Sequence, residues 1–240
     1  MPAPQATNDS VTHPRNFIKS VRRSPVQGIA GMGMVLASMV LISQTGCIGL
    51  ASNLMHAVGA DRIPPKYDGL EDQRVAVVTL TDASQYSNDS TSRFLSRSLG
   101  QILLGEVDDM RLVREDEIEQ WRDVNGYDNF DFAKIGTDVK ADKVVSVQIS
   151  DMTLLDGASL YRGKANVLVE VIDPASGELL LREEIDEFTY PKNAGQHINE
   201  TTEAKFERLY LTVLAEKIGR LFHPYDFGET VALDGRIASN

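Results

Sequence analysis

The stretch Arg74–Asp82, with the sequence RVAVVTLTD, decides the fold. It is an almost continuous run of apolar and β-branched residues, and charges occur only at its two ends. A strand that is buried on both faces of a sheet has this composition, whereas a half-buried strand alternates apolar with polar residues. The stretch therefore predicts a central strand in a sheet that is covered on both sides.

The residues after this strand switch between helical and strand periodicity. A helix is predicted at Asp89–Val107, because Asp89 or Ser90 can cap it and its apolar residues recur at spacings of three and four. Further helices are predicted at Arg114–Asp123, Phe132–Val139 and Asn199–Phe222. Further strands are predicted at Met110–Val113, Ala141–Leu154, Tyr161–Asp173 and Glu178–Phe188.

These elements predict an α/β (α+β) fold with a mixed five-stranded sheet and two to three packed helices, in the order β-α-β-α-β-β-β-α. Helical connections allow the first three strands to lie parallel, and short turns make the last two antiparallel. A signal or anchor helix is also expected before the domain. The predicted boundaries are 1–47 for the signal or anchor with a disordered basic start, 48–73 for a tether, 74–223 for the domain and 224–240 for a flexible tail.

The domain resembles the small α/β domain shared by the TolB amino-terminal domain and the curli-secretion lipoprotein CsgG. The resemblance rests on five pieces in this order: RVAVVTLTD at 74–82, RFLSRSLGQIL at 93–103, MRLVREDEIE at 110–119, ADKVVSVQISDM at 141–152 and VLVEVIDPASGELL at 167–180. It implies a location in the bacterial cell envelope and binding to other proteins. It supplies no catalytic residues.

The only long apolar run lies far upstream, at Val26–Cys47. Basic residues precede it, as in a secretory signal, and an acidic chain follows it. Thr45, Gly46 and Cys47 resemble the cleavage and lipidation site of a bacterial lipoprotein, and Cys47 is the only cysteine. Gln44 departs from that pattern, which usually has an aliphatic residue there. A lipidated Cys47, an ordinary cleaved signal and an uncleaved Val26–Ile42 membrane helix therefore all stay open.

Charge restricts the partners of the mature chain. The whole sequence carries a net charge of −11, and residues 1–47 hold four basic residues against one acidic residue, so the remainder is near −14. Nucleic acid is a poor partner for such a chain, because phosphate binding needs clustered lysine and arginine. An anionic bilayer also repels it, so membrane attachment requires the lipid on Cys47 or the Val26–Ile42 helix.

Several groups of polar residues are candidate sites, and each has a simpler structural interpretation. Glu115–Glu117 with Glu119 can bind a cation, but acidic residues also favour a helix start. The loop Asp123–Asp131 resembles a calcium loop, yet Gly126 is fourth rather than sixth and no glutamate is twelfth. A turn-rich loop is therefore the favoured interpretation.

Histidine and aromatic residues give no stronger signal. His56, His197 and His223 are far apart in sequence, and each is predicted to be a surface residue. Trp121 and Tyr127 can form a binding patch, although packing in the core or in a loop is commoner for such residues. No nucleophile elbow, P-loop or dinucleotide-binding motif is present. We therefore predict no catalytic, metal-binding or cofactor-binding residue.

Together these features predict a membrane-anchored, periplasmic cell-envelope lipoprotein. Its α/β domain is expected to be a non-catalytic module that binds an unidentified envelope protein or polymer, and not nucleic acid. One alternative is a subunit of an oligomeric secretion or transport assembly. Another is a hydrolase whose site is assembled from scattered residues.

Overall fold

The computed structural model describes residues 62–84, 89–226 and 228. Its helices are α1 (Ser90–Glu106), α2 (Glu115–Asn125), α3 (Phe132–Asp138) and α4 (Glu203–Gly219). Its strands are β1 (Arg62–Ile63), β2 (Arg74–Thr81), β3 (Arg111–Leu112), β4 (Lys143–Asp156), β5 (Leu160–Ile172), β6 (Leu179–Tyr190), β7 (Gln196–His197) and β8 (Tyr225–Asp226). None of the helices in these ranges is both long and apolar enough to cross a membrane.

Five strands form the main sheet in the order β3-β2-β4-β5-β6, and β7 adds a short pair to β5. β2 is parallel to both β3 and β4, whereas β4, β5 and β6 are antiparallel neighbours. The predicted mixed sheet, with a parallel part followed by an antiparallel part, is confirmed. Two helices, α2 and α3, connect β3 to β4, so the described residues contain four helices in all.

The first face of the sheet is covered by α1 and α4, which pack on β2, β4 and β5. Residues at spacings of three and four supply the contact, as the predicted amphipathic face of α1 requires. The fully buried members include Leu95, Leu99 and Leu103 of α1 and Tyr210, Leu214 and Ile218 of α4. Burying each of these side chains stabilises the fold by about 1.5–3 kcal/mol.

The second face carries a smaller core under α2 and α3. Ala76, Val78 and Leu80 of β2 point to this core, while Val75 and Val77 point to the first one. β2 is therefore buried on both faces, as its composition predicts. The second core extends only to Val144 of β4 and Ile172 of β5, so no described helix covers the rest of this face.

The start of α4 differs from the sequence prediction. Its N-cap is Thr202, whose side chain accepts a hydrogen bond from the Lys205 backbone N–H, and not Asn199. The Asn199 N–H instead bonds to His197 Nδ1 at 3.3 Å, and Glu200 N–H bonds to the His197 carbonyl at 2.9 Å. These bonds hold residues 197–200 in a turn, so the helix begins three residues later than predicted.

The fold includes residues on both sides of the 74–223 range. β1 pairs with β8 in an antiparallel two-residue ladder. Leu70 is fully buried in the first core, and the backbone N–H groups of Lys66 and Tyr67 both donate to the Leu221 carbonyl. The start and the end of the described chain therefore lie side by side. The predicted signal at 1–47, including Val26–Ile42, Gln44, Thr45, Gly46 and Cys47, lies outside the described residues.

A close contact between Gly163 of β5 and Tyr210 of α4 fixes the helix on the sheet. A Cβ at position 163 would lie only 2.1 Å from Tyr210 Cδ2. The Tyr210 hydroxyl donates to the Phe188 carbonyl at 3.1 Å, which links the same ring to β6. The absence of a side chain at Gly163 thus leaves the space that the tyrosine ring fills.

We expect Gly163→Ala to lower the free energy of unfolding by about 1–3 kcal/mol, because the added methyl group displaces the Tyr210 ring. The matched control is Gly105→Ala in α1, where an added Cβ meets nothing within 4 Å. That change should raise the free energy of unfolding by about 0.5–1 kcal/mol through helix propensity. Urea unfolding of both variants is the measurement, and equal effects at the two glycines would contradict the packing argument.

Candidate functional site

Two concave sites lie next to β2, and the first is on the uncovered part of the second sheet face. We call it the sheet groove. It has a volume of about 390 Å³. It is lined by Leu80, Thr81, Asp82, Phe130, Gln148, Ile149, Ser150, Asn166, Val167, Leu168, Glu184 and Asp186. It lies where β2 ends, beyond the area that α2 and α3 cover.

Two irregularities in the strands shape the sheet at this level. Asp151 of β4 and Glu187 of β6 have positive φ angles of 54° and 46°, and the register shifts beside both. Asn166 of β5 ties them together, since its Nδ2 donates to Asp151 Oδ2 at 3.0 Å and its Oδ1 accepts from Glu187 N–H at 2.9 Å. Bulges bend and twist strands and occur often beside functional sites.

The side chains of the sheet groove are mostly polar and acidic. Asp82, Glu184 and Asp186 supply three carboxylates. Phe130, in the loop between α2 and α3, forms an apolar wall and is 46% exposed. Arg182, beside the groove, is held by Glu170 at 2.7 Å and by Glu184 at 2.9 Å. The groove therefore combines an excess of negative charge with one exposed aromatic ring.

The second site, which we call the arginine cleft, lies between α1 and α2. It also has a volume of about 390 Å³. Its lining residues are Val77, Val78, Thr79, Ser92, Arg93, Ser96, Arg97, Gln101, Leu112, Val113, Arg114, Glu115, Asp116, Ile118, Glu119 and Arg122. β3 pairs only with Arg74 and Val75, so the rest of this edge of β2 faces the cleft.

Ion pairs between the two helices form the rim of the arginine cleft. Arg93 of α1 contacts Glu115 at 3.3 Å and Glu119 at 2.8 Å, and Arg97 contacts Glu115 at 2.7 Å. Arg114 is paired with Asp116 at 2.6 Å. The acidic run therefore begins α2, as its simpler interpretation predicts, and several of its side chains also pair with arginines, which the sequence did not predict.

Arg122 lies deeper in the cleft and differs from the arginines of the rim. It is 6% exposed, and its Nη2 donates to the Ser84 carbonyl at 2.8 Å and to the Tyr127 carbonyl at 3.2 Å. Its guanidinium carbon lies 4.9 Å from the centre of the Tyr127 ring. Burial lowers the pKa of Arg122 from its ordinary value, because desolvation disfavours the charged form.

Three side chains of the loop that resembles a calcium loop have partners within the protein. Asp131 caps α3 by accepting from Lys134 N–H at 2.9 Å. Asp123 accepts from the Tyr127 hydroxyl, and Asn125 donates to the Trp121 carbonyl at 2.9 Å. Among the described residues, no three His, Cys, Asp or Glu side chains come together in a way that could hold a metal ion.

The histidines and the tryptophan have different environments. His197 is exposed in β7, as predicted, but His223 is 8% exposed, so its prediction as a surface residue is wrong. The turn after α4 places it against Pro224, whose carbonyl lies 3.1 Å from Nδ1. Trp121 is 8% exposed in the second core, which excludes it from a surface patch. His56 lies outside the described residues.

Sequence reasoning missed both concave sites. In the sequence Arg122 is indistinguishable from the other charged residues of a polar helix. Only its exposure of 6% in the folded protein distinguishes it from them. The residues of the sheet groove come from β2, a loop and three later strands, so no local motif could combine them. A weak signal was available in β4–β6, where polar and apolar residues alternate along each strand. This alternation indicates that one face of these strands has no helix packed on it.

No protein-family model and no curated protein matches the sequence. Solved structures with a similar chain path include a PelC dodecamer from Paraburkholderia phytofirmans, with 14% identity and a TM-score of 0.39 over 67% of this chain and 93% of that chain. The lipoprotein GNA1162 from Neisseria meningitidis has 12% identity and a TM-score of 0.39 over 60% of this chain and 97% of that chain.

The LpoB C-terminal domain from Salmonella enterica has 11% identity and a TM-score of 0.34, and the match covers 50% of this chain and 86% of that chain. The structural neighbours thus include a bacterial lipoprotein. At these identities and TM-scores the likenesses carry no conclusion about what this chain binds.

Asp138 links α2 to α3 and provides a test of the second core. Trp121 Nε1 donates to Asp138 Oδ2 at 2.7 Å, and Lys134 Nζ lies 3.4 Å from the same oxygen. The hydrogen bond from Trp121, and then the bond and charge of Lys134, hold the pKa of Asp138 below its ordinary value. The ionised carboxylate therefore stabilises the folded state.

We expect Asp138→Asn to lower the melting temperature at pH 7, because the amide keeps the acceptor oxygen and loses the charge. Because the pKa of Asp138 is lower in the folded state, the carboxylate stabilises that state fully at pH values above the unfolded-state pKa. This stabilisation is lost as the pH falls through the folded-state pKa. The gap between variant and wild type should narrow as the pH falls below the ordinary aspartate pKa of about 3.9. A gap that stays constant from pH 7 to pH 2.5 would contradict this assignment.

Proposed function

We propose that this protein is a membrane-anchored cell-envelope lipoprotein, exposed on the periplasmic side, whose α/β domain is a non-catalytic module that binds another protein or an envelope polymer. The observation that carries the proposal is the sheet groove. It is an uncovered sheet face with a bent floor, a half-exposed aromatic ring and an excess of negative charge. The apolar run before Cys47 supports the location.

The shape and exposure of the sheet groove suit a partner that lies across strands. β4, β5 and β6 cross its floor, and Phe130 stands at its side. Aromatic side chains are enriched among the residues that carry most of the binding energy in protein interfaces. A partner that covers Phe130 would remove an exposed ring from water, which favours association.

Charge specifies the partner further. Asp82, Glu184 and Asp186 line the sheet groove, and the chain as a whole carries a net charge of −11. Complementary charge steers association and suppresses wrong partners. The occupant that fits is a basic segment of another envelope protein, with lysine or arginine side chains facing the carboxylates.

The position of the tether agrees with this use of the groove. Lys66, just after β1, contacts Glu183 of β6 at 2.5 Å. Glu183 pairs with Val169, whose side chain lies in the first core, so the tether joins the fold on the first face. The sheet groove is on the second face. The described part of the tether therefore contacts the fold on the face opposite the groove.

The other functions predicted from the sequence find less support. A secretion pore needs long hairpins with an apolar lipid-facing side. Here the β4–β5 connection is residues 157–159 and the β5–β6 connection is residues 173–178, and β6 carries Arg182, Glu183 and Glu184. The relationship to TolB and CsgG domains remains part of the proposal.

The anchor is tested by intact-mass analysis of the protein extracted from its membrane. We expect a chain that starts at Cys47 and carries a lipid, because the single cysteine ends the apolar run. Cys47→Ser should abolish the lipid mass and the cleavage together. If the mass of the wild-type protein corresponds to a chain that starts at Met1, the anchor is the Val26–Ile42 helix and not a lipid.

The sheet groove is tested by a photo-crosslinking amino acid placed at Phe130 in the full-length, membrane-bound protein. We expect one discrete crosslinked product, identified as a protein with a basic contact segment. The same substitution at Val124, which is 79% exposed on α2 and outside the groove, should not give it. Asp186→Lys should reduce the yield at Phe130 because it places a positive charge against the basic partner.

Equal products at positions 130 and 124, or a yield that Asp186→Lys leaves unchanged, would overturn the groove as the binding site. Asp116→Lys is the matched charge control, since Asp116 lies on α2 away from the sheet groove. It changes the net charge by the same amount as Asp186→Lys. It should leave the yield at Phe130 unchanged.

A further inference from the structure

Arg122 carries a buried positive charge that no described carboxylate contacts directly, although Asp123, Asp89 and Glu119 act on it from beyond ion-pairing distance. Arg93, Arg97 and Arg114, which line the same arginine cleft, each form an ion pair with a carboxylate. Within the described residues, no carboxylate lies at ion-pairing distance from Arg122. Buried charges in proteins are normally paired, because removing them from water costs far more than leaving them exposed.

The contacts of Arg122 orient its guanidinium group but do not neutralise it. Two backbone carbonyls, from Ser84 and Tyr127, accept from Nη2, and the Tyr127 ring packs on one side. Arginine has five N–H donors in a rigid plane. No described residue accepts a hydrogen bond from Nε or Nη1, and neither atom is among the enclosed side-chain nitrogen and oxygen atoms that lack a hydrogen-bond partner. Donors of Arg122 are therefore available to a ligand.

The arginine cleft has space and further polar groups for such a ligand. Its volume of about 390 Å³ is within the usual range for a small-molecule site. The polar residues Ser92, Ser96 and Thr79 line it together with Arg122. The rim carboxylate of Glu115 is held by Arg93 and Arg97, so its charge is compensated.

We propose that the arginine cleft binds an oxyanion, the carboxylate or phosphate group of a small molecule, with Arg122 as its charged anchor. Arginine recognises both groups through charge-assisted hydrogen bonds, which are stronger than neutral ones. An oxyanion would supply the partner that the buried guanidinium lacks. This site is separate from the sheet groove and does not depend on the function proposed for it.

The depth of Arg122 distinguishes specific binding from general attraction of anions. Salt screens interactions between exposed charges strongly and those at buried sites much less. The side chains of Arg97 and Arg114 are 61% and 74% exposed, whereas Arg122 is 6% exposed as a residue. An anion held by Arg122 should therefore remain bound in salt that removes anions from the rim.

The test uses the detergent-solubilised full-length chain with isotope-labelled arginine side chains. Sodium phosphate and sodium acetate are titrated separately in 0.5 M NaCl, and the arginine Nε resonances are followed by NMR. We expect one resonance to shift saturably with at least one of the two anions. It should be absent from the spectrum of Arg122→Lys, which assigns it.

Saturation with phosphate alone or acetate alone supports the proposal and identifies the group that the cleft prefers. Arg208→Gln removes the same charge from an exposed position on α4 outside the cleft and should leave the affinity within about twofold, while Arg122→Gln should weaken it at least tenfold. If Arg122→Gln fails to fold, the titrations of the wild type and of Arg208→Gln still test the proposal. No saturable shift of the Arg122 resonance with either anion, or equal losses in Arg208→Gln and Arg122→Gln, would overturn the proposal.

Discussion

The burial of β2 on both faces is the constraint on which the rest of the structure depends. Its side chains enter two separate cores, so its backbone polar groups have no water on either face and need partners at the edges. β4 pairs with seven consecutive residues of β2 along one edge. β3 pairs with only Arg74 and Val75 along the other. The remaining backbone groups on that second edge must find other partners.

Serine hydroxyls serve this purpose where β3 ends. Ser96 of α1 accepts from Thr79 N–H at 3.1 Å, and Ser84 accepts from Thr81 N–H at 2.8 Å. The Ser96 hydroxyl also donates to Thr79 Oγ1 at 2.9 Å. Because these small side chains replace a strand, space remains between α1 and α2. The arginine cleft is thus a direct consequence of how one strand edge is completed.

The sheet groove has a related origin on the opposite side of β2. α2 and α3 are short, and their apolar side chains cover β2 and only the start of β4. The later strands continue beyond this cover, and the bulges at Asp151 and Glu187 change their direction there. Both concave sites therefore occur where regular pairing or helix cover stops, while the first face remains closed by α1 and α4.

The sequence by itself determined the five strands of the main sheet, the helices between them, their order and the two-sided burial of Arg74–Asp82, because periodicity and turn residues act locally, but it did not predict the short strands β1, β7 and β8. It also fixed the parallel and antiparallel halves of the sheet through the lengths of the connections. Tertiary structure alone decided that Asp82, Phe130 and Asp186 share one groove and that Arg122 is buried with no described carboxylate at ion-pairing distance. Those properties depend on which residues distant in sequence come into contact and on how far these contacts exclude water from each side chain. No local sequence pattern encodes either.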